Sequence, residues 1–264
     1  MRYLYLALAI LYTSVCYVAG HGIVTGIVTN GTYHRGYDPM FQHFVPIPQV
    51  SGWSTPENTD YGFVPSSNFT SPDIICHKGA TQGTGTINVK AGDTLQLQWN
   101  PSPWTVGHHG PVIDYLAACN GSCTTVDKSM LKFAKIAESG LVAKTPFPGY
   151  YGCDLLRDNN STWTVWIPPT IISGEYILRH EILALHLAWR RGEAQGYPQC
   201  INLNVTDGGV DEIVGKSAQG FYQVDDPGVL IDIWQFNGTY VVPGPKVWEK
   251  SVAHEQPSVA SGGT

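Results

Sequence analysis

Histidine is the residue type in this chain best suited to metal chemistry, and His21 occupies the most informative position. The chain starts with a positive charge at Arg2, continues with an apolar run over residues 3–12 and reaches small residues ending at Gly20, the pattern of a secretory signal peptide. The run is too short for a membrane span. Cleavage after Gly20 would let the α-amine and imidazole of His21 bind one metal ion together. The alternative is a histidine that comes first by accident.

A second candidate is the pair His108 and His109, between Gly107 and the Gly-Pro dipeptide at residues 110–111. These residues predict a tight loop just before a strand over residues 112–115, and loops on a rigid scaffold often carry functional sites. Neighbouring side chains of an extended segment point to opposite sides, so only one of the two histidines can readily face a given metal ion. The alternative is a pair of turn histidines that make ordinary hydrogen bonds.

The third candidate segment runs from Gln195 to Cys200. Pro198 restricts Tyr197 to an extended conformation, and Cys200 can anchor the segment covalently. In an extended segment, Gln195 and Tyr197 share one face. The alternative is a structural role for Tyr197 as an aromatic side chain of the core.

Alternation of apolar and polar residues with a period of two predicts the strands that must position these candidates. The turn at Gly92-Asp93 precedes one such segment. The apolar positions are Leu95, Leu97 and Trp99; Trp163, Val165 and Ile167; and Ile201, Leu203 and Val205, the last three alternating with outward-facing Asn202, Asn204 and Thr206. Short strands with such turns indicate an all-β protein, a β-sandwich.

Three further segments complete the predicted organisation. Residues 176–186 follow prolines and Gly174 and are predicted as a strand, with Tyr176, His180, Ile182 and His186 on one face. Residues 30–71 lack periodicity, and a long irregular segment in a compact domain is usually functional. The polar residues 249–264 predict a flexible tail, which leaves residues 21–248 as the single folded domain.

The composition narrows the class of protein. Charged residues make up only 14 % of the chain, which contains 29 glycines and 18 prolines, a mix typical of a loop-rich secreted β-protein. The net charge of −6 argues against nucleic acid and anionic membrane surfaces as partners, because both need basic patches. Seven Asn-X-Ser/Thr sequons also favour secretion, at Asn30, Asn68, Asn120, Asn159, Asn160, Asn204 and Asn237.

Five cysteines remain after Cys16 leaves with the signal peptide, so two disulfides and one free thiol are expected in an oxidising compartment. The sequence allows about fifteen such pairings. Cys119 and Cys123 are close enough to close a tight loop, and we predict this disulfide together with one between Cys76 and Cys200.

Several motifs follow one another in a fixed order along the chain. They are His21 behind the signal peptide, Ile-Cys-His-Lys-Gly-Ala at 75–80, Ala-Gly-Asp-Thr at 91–94, His-His-Gly-Pro-Val at 108–112, Leu-Arg-His-Glu at 178–181, Gln-Gly-Tyr-Pro-Gln-Cys at 195–200 and Tyr-Val-Val-Pro-Gly-Pro at 240–245. In this order they resemble the fungal lytic polysaccharide monooxygenases of auxiliary activity family 9. The resemblance spans nearly the whole mature chain.

This resemblance implies an immunoglobulin-like β-sandwich that carries one copper ion on a flat face. The equatorial ligands would be the α-amine and imidazole of His21 and the imidazole of His108, with His109 at a variable position. Tyr197 matches the axial tyrosine. The family's two disulfides agree with the predicted pairing, and Cys153 is a departure from the family, expected to be a buried free thiol.

The resemblance also implies the reaction. His186 and Gln195 match the pair that hydrogen-bonds to the oxygen co-substrate, and Tyr240 matches an aromatic residue on the substrate-facing surface. Copper would cycle between Cu(II) and Cu(I), using O₂ or H₂O₂ and an external reductant or electron-transfer protein, to hydroxylate C1 or C4 in cellulose or other β-linked glucans. A secreted, extracellular monomer without membrane or nucleic-acid partners is expected.

Two other functions compete with this one. Glycoside hydrolysis needs two facing carboxylates about 5–9.5 Å apart; Asp114, Asp154 and Glu181 are available, but their spacing nominates no pair. Glu181 falls beside His180 on the opposite face of the predicted strand, which favours a structural role. The second alternative is a secreted protein that binds copper or polysaccharide without catalysis.

Overall fold

The computed structural model describes residues 21–100 and 102–257, whose regular secondary structure is mainly β-strand. The predicted signal peptide lies outside the described residues. The strands are β1 (Ile23–Thr29), β2 (Thr32–Arg35), β3 (Val64–Pro65), β4 (Ile87–Lys90), β5 (Thr94–Asn100), β6 (Val112–Ala118), β7 (Ala134–Ser139), β8 (Leu141–Ala143), β9 (Tyr150–Tyr151), β10 (Thr162–Trp166), β11 (Gly174–Ala184) and β12 (Gln195–Thr206). The α-helices are α1 (Asp73–Cys76) and α2 (Gly152–Asp158), and short 3₁₀ helices lie at Pro39–His43, Ser66–Asn68, Lys128–Met130 and Ala218–Gly220. No helix in the described ranges is long and apolar enough to cross a membrane.

Two sheets pack against each other across one core. The smaller sheet has the strand order β10-β5-β1-β2, and all its pairs are antiparallel. The larger sheet has the order β3-β12-β11-β6-β7, with β4 added in parallel to β12. Apolar side chains from both sheets, such as Leu97 and Ile182, belong to the same buried cluster. The predicted β-sandwich is confirmed.

The period-two pattern correctly identified the inward faces of three strands. Leu95, Leu97 and Trp99 on β5 are all buried, because alternate side chains of a strand point to the same face. Trp163 and Val165 on β10 follow the same rule, and so do Ile201, Leu203 and Val205 on β12.

One polar position of β12 differs from the prediction. Asn202 was expected to face outward, but its side chain is fully buried. It accepts a hydrogen bond from the indole N–H of Trp53 at 2.8 Å and donates to the carbonyls of Gly83 and Gly85 at 2.8 and 2.9 Å. The irregular segment before β4 therefore covers this face of the sheet, and its backbone satisfies the buried amide.

The predicted strand over residues 176–186 is confirmed up to Ala184, where β11 ends. β11 lies between β6 and β12, and every side chain from Tyr176 to Ala184 is buried. His186 lies beyond the strand, in the turn that follows it, and so does not belong to the strand face predicted for it.

Both predicted disulfides are present, Cys76–Cys200 and Cys119–Cys123, and Cys153 is a buried free thiol. The first joins positions 124 residues apart and fixes α1 against β12. It thus anchors the strand that carries Gln195 and Tyr197.

The start of the predicted flexible tail is attached to the sandwich. The side chain of Gln256 accepts a hydrogen bond from the backbone N–H of Thr164 and donates to its carbonyl, at 2.9 and 2.8 Å. His254 stacks on Trp166 with ring centroids 4.6 Å apart. Residues 249–257 therefore cover the edge strand β10, which corrects the prediction for this part of the tail, whereas residues 258–264 lie outside the described part.

The buried His77 makes the free energy of unfolding depend on pH. Its Nδ1 accepts from the backbone N–H of Lys78, so its Nε2 donates to the carbonyl of Gly62. Burial lowers the pKa of His77 from 6.5 to about 4, aided by nearby Lys78 and opposed by the Gly62 carbonyl and Asp60. Between these two pH values the unfolded state binds more protons, so stability is complete above pH 6.5 and falls on acidification.

We expect His77→Asn, which keeps a polar side chain but removes the titratable ring, to reduce that dependence. The free energy of unfolding of the wild type should fall by up to about 3 kcal/mol more than that of the variant between pH 6.5 and pH 4. Denaturant titrations at several pH values measure this difference. Parallel pH profiles for the two proteins would contradict it.

Candidate metal centre

The loop that carries His108 is fixed by hydrogen bonds to four successive backbone carbonyls. The donors are the Cys153 thiol to His108 (2.7 Å), the Leu185 N–H to His109 (2.7 Å), the Cys153 N–H to Gly110 (3.1 Å) and the Leu183 N–H to Pro111 (3.1 Å). Buried carbonyls need such partners. The loop is therefore held from both sides, by α2 and by the end of β11.

Gly110 allows β11 to approach this loop. A Cβ at this position would lie 1.9 Å from the carbonyl oxygen of Leu183. This distance is too short for any residue with a side chain. The glycine is therefore required by the close approach of two backbones.

His186 lies against His108 because the loop and the end of β11 run side by side. The centroids of the two imidazole rings are 4.0 Å apart. Burial and the nearby His109 lower the pKa of His186, so its ring is neutral at pH 7. Its Nδ1 is buried and has no hydrogen-bond partner among the described residues.

His21 reaches the same region through Trp104. The fully buried indole of Trp104 lies so close to Gly22 that a Cβ there would be 2.8 Å from the ring. The same indole meets the ring of His108 at 6.1 Å and 89°. Gly22, the residue after His21, and His108 thus both contact the same indole, although they are 86 positions apart in sequence.

Tyr197 and Gln195 lie on one face of β12, as predicted from Pro198. The Tyr197 hydroxyl donates to the Gln195 side-chain oxygen at 2.8 Å. Its ring is perpendicular to Trp104 at 5.3 Å and lies 6.0 Å from Phe63, which in turn lies 5.9 Å from the ring of His21. Burial raises the pKa of Tyr197 far above its usual value, so it is a neutral phenol.

His109 points away from His108 toward α2. Its Nδ1 contacts Asp154 Oδ2 at 2.8 Å. Burial alone would raise the pKa of Asp154, but hydrogen bonds from His109, the Tyr151 N–H and Arg157 lower it instead, so the carboxylate is charged. The expectation that only one of the two adjacent histidines faces a given point agrees with this geometry.

Tyr240 does not face the surface, which corrects its predicted role in substrate contact. Its side chain is only 8 % exposed, and its hydroxyl donates to the Gly228 carbonyl at 2.9 Å. The exposed aromatic beside the histidines is Trp234, 38 % exposed, whose indole N–H donates to the His186 carbonyl at 2.9 Å. Trp234 lies in a loop without periodicity, so no pattern of the sequence indicates that it is exposed here.

The three carboxylates considered for hydrolysis are all engaged in the interior. Asp114 accepts from His180 and Trp163, Asp154 contacts His109 and Arg157, and Glu181 accepts from Arg179 and Tyr222. Asp114 and Glu181 are at most 1 % exposed. Neither can meet a substrate or a water molecule, which removes the basis for the hydrolase alternative.

The donors at this face suit copper. Within residues 21–100 and 102–257 no three His, Cys, Asp or Glu side chains are grouped to hold a metal ion. The face brings together two imidazoles, His21 and His108, and one phenol, Tyr197. With a terminal amine at His21, this is a set of nitrogen and oxygen donors of the kind that Cu(II) prefers.

Comparison with known proteins agrees with a metal-dependent enzyme on a β-sandwich. The model of Auxiliary Activity family 9 (formerly GH61) matches residues 21–240. The chain therefore belongs to this family, the fungal lytic polysaccharide monooxygenases, which use copper to cleave polysaccharides oxidatively. The resemblance inferred from the motifs is confirmed.

Individual relatives are similar over most of the chain. The AA9 family lytic polysaccharide monooxygenase A of Thermoascus aurantiacus is 49 % identical over 229 residues, 86 % of this chain and 99 % of that one. The enzyme of the same name from Malbranchea cinnamomea is 49 % identical over 232 residues, 88 % of this chain and 69 % of that one. The extended catalytic domain of H. jecorina LPMO9A superimposes with a TM-score of 0.84 at 45 % identity, covering 90 % of this chain and 96 % of that domain.

We expect Gly110→Ala to destabilise the protein by about 1–3 kcal/mol, because the new methyl group would force the loop away from β11. Thermal unfolding of the metal-free protein measures the loss. Gly107→Ala is the matched control, since Gly107 has a φ of 87° but open space around its Cβ. An equal loss in both variants would show that the contact with Leu183 is not limiting.

Proposed function

We propose that the mature chain begins at His21 and that one copper ion would be held by the α-amine and ring of His21, the ring of His108 and the hydroxyl of Tyr197. The observation that carries this proposal is the contact of Trp104 with all three ligand segments, at Gly22, His108 and Tyr197. Three nitrogens with a weak oxygen donor suit Cu(II). The amine binds as a neutral donor, having lost its proton.

Copper cycling between Cu(II) and Cu(I) supplies the one-electron chemistry that activates O₂ or H₂O₂, with electrons from an external reductant or electron-transfer protein. His186 and Gln195 orient the oxygen co-substrate. Two observations support this role of His186. Its ring contacts the ring of His108, and its Nδ1 has no hydrogen-bond partner in the part of the chain that the structure describes. The role of Gln195 is supported by its hydrogen bond from Tyr197, which fixes the Gln195 amide beside the Tyr197 hydroxyl.

The substrate is cellulose, hydroxylated at C1 or C4 beside the glycosidic bond, with other β-linked glucans as further substrates. The position of Trp234 supports the binding of a polysaccharide at this face, because its exposed ring beside His186 can stack on a sugar ring. A cellulose-active polysaccharide monooxygenase from M. thermophila superimposes with a TM-score of 0.73 at 28 % identity, covering 86 % of this chain and 99 % of that one. Its activity supports the same substrate here.

Residues 1–20 act as the secretory signal, and residues 21–248 form the catalytic domain of a secreted monomer. Glycans on the seven sequons are part of this proposal. The side chains of Asn30, Asn68, Asn120, Asn160 and Asn237 are exposed, and those of Asn159 and Asn204 are partly exposed, which supports access for a glycosyltransferase.

His108→Ala tests the ligand assignment. We expect the affinity of the variant for Cu(II) to fall by more than about a hundredfold, which exceeds the usual effect of residues that only orient a ligand. The variant should release no oxidised oligosaccharides from cellulose. Copper titration and mass spectrometry of products made with a reductant and O₂ measure the two effects. His43→Ala, which removes an exposed histidine, is the control and should behave like the wild type. Wild-type binding and cleavage by His108→Ala would refute the assignment.

A chain that keeps one additional residue before His21 tests the role of the amine. An amide nitrogen is not a basic donor, so we expect Cu(II) affinity to fall at least roughly tenfold and oxidative cleavage to be lost. Isothermal titration and Cu(II) EPR measure the change, and removal of the extra residue by an aminopeptidase should restore the wild-type spectrum. An unchanged spectrum in the extended chain would show that the amine is not a ligand.

A further inference from the structure

The first turn of α2 contacts three successive residues of the His108 loop. The Cys153 thiol meets the His108 carbonyl, Asp154 meets the His109 ring, and the Cys153 N–H meets the Gly110 carbonyl, at 2.7, 2.8 and 3.1 Å. The preceding N–H, of Gly152, donates to the Gly140 carbonyl at 2.9 Å and ties the helix start to the segment before β8. The loop and the helix are therefore joined as one unit.

Cys153 makes two of these contacts. Its side chain is 0 % exposed, and its thiol and N–H donate to carbonyls two residues apart. The His108 carbonyl also accepts from the Trp104 indole N–H at 3.4 Å. This peptide group is consequently held between α2 and Trp104, and rotation of the peptide plane would break both hydrogen bonds.

Asp154 holds the other side of the loop. It accepts from the Tyr151 N–H at 2.9 Å and from Arg157 at 2.6 Å, which fix the carboxylate at the start of α2. The same carboxylate contacts His109 at 2.8 Å. Because adjacent side chains of an extended segment alternate, holding His109 toward α2 turns His108 the other way.

We propose that Cys153 is a positioning residue for the metal ligand His108. Its thiol fixes the His108 peptide group, and the orientation of that group sets the direction of the imidazole. This inference rests on the proposed role of His108 as a copper ligand. Residues that orient a ligand without touching the metal change metal affinity about 10- to 100-fold.

The test compares Cys153→Ala, Cys153→Ser and Leu156→Ala in the mature protein. We expect Cys153→Ala to weaken Cu(II) binding by roughly tenfold and to shift the g values and copper hyperfine coupling in EPR. Cys153→Ser keeps a hydroxyl donor for the His108 carbonyl, so its affinity and spectrum should return most of the way to wild type. Leu156→Ala removes a fully buried side chain of the same helix that makes none of these contacts.

Leu156→Ala should lower the melting temperature of the metal-free protein while leaving Cu(II) affinity and the EPR spectrum unchanged. The proposal is overturned if Cys153→Ala changes only the melting temperature, or if Cys153→Ser shows the same binding defect as Cys153→Ala. If Cys153→Ala does not fold, Cys153→Val replaces it, because valine keeps a similar volume without a hydrogen-bond donor. A wild-type EPR spectrum for Cys153→Val overturns the proposal, and a shifted spectrum supports it. Failure of the underlying metal site would appear separately, as absence of tight Cu(II) binding by the wild type.

Discussion

The packing of Trp104 is the interaction on which the rest of the structure depends. One fully buried indole touches the chain at Gly22 and meets the rings of Trp99, His108 and Tyr197. These contacts come from Gly22 just before β1, from β5, from the loop before β6 and from β12, so a single side chain joins both sheets at one end of the sandwich. Removing so large a buried ring typically costs about 3–5 kcal/mol, and here it would also release the three segments that carry the proposed metal ligands.

Around this ring, backbone hydrogen bonds leave the loop at residues 108–111 little freedom. Each of its four carbonyls has a donor, and the donors lie in α2, in β11 and at Leu185 just after β11 rather than in the loop itself. A site on a loop of this kind has the rigidity of the strands that flank it. In the proposed site, the α-amine of His21 would become available as a ligand only after cleavage of the peptide bond that follows Gly20.

The buried charged groups stabilise the fold through hydrogen bonds and an ion pair within the core. Asp114 accepts hydrogen bonds from the Trp163 indole and from His180, and His180 accepts from the Trp99 indole, at 2.6 to 2.9 Å. Glu181 pairs with the fully buried Arg179, which also donates to backbone carbonyls near α1. Because buried charges are stable only when they are paired, these carboxylates stabilise the core.

The sequence by itself determined the class of fold, the disulfides and the residues proposed as ligands. Strand faces such as Leu95, Leu97 and Trp99 follow from local alternation, and the ordered motifs identify the family. Only the tertiary structure decided the burial of Asn202 and Tyr240, the exposure of Trp234 and the contact of Cys153 with the His108 carbonyl. The physical reason is that burial of a polar or aromatic side chain depends on which distant segment covers it. Local pattern carries no information about that partner.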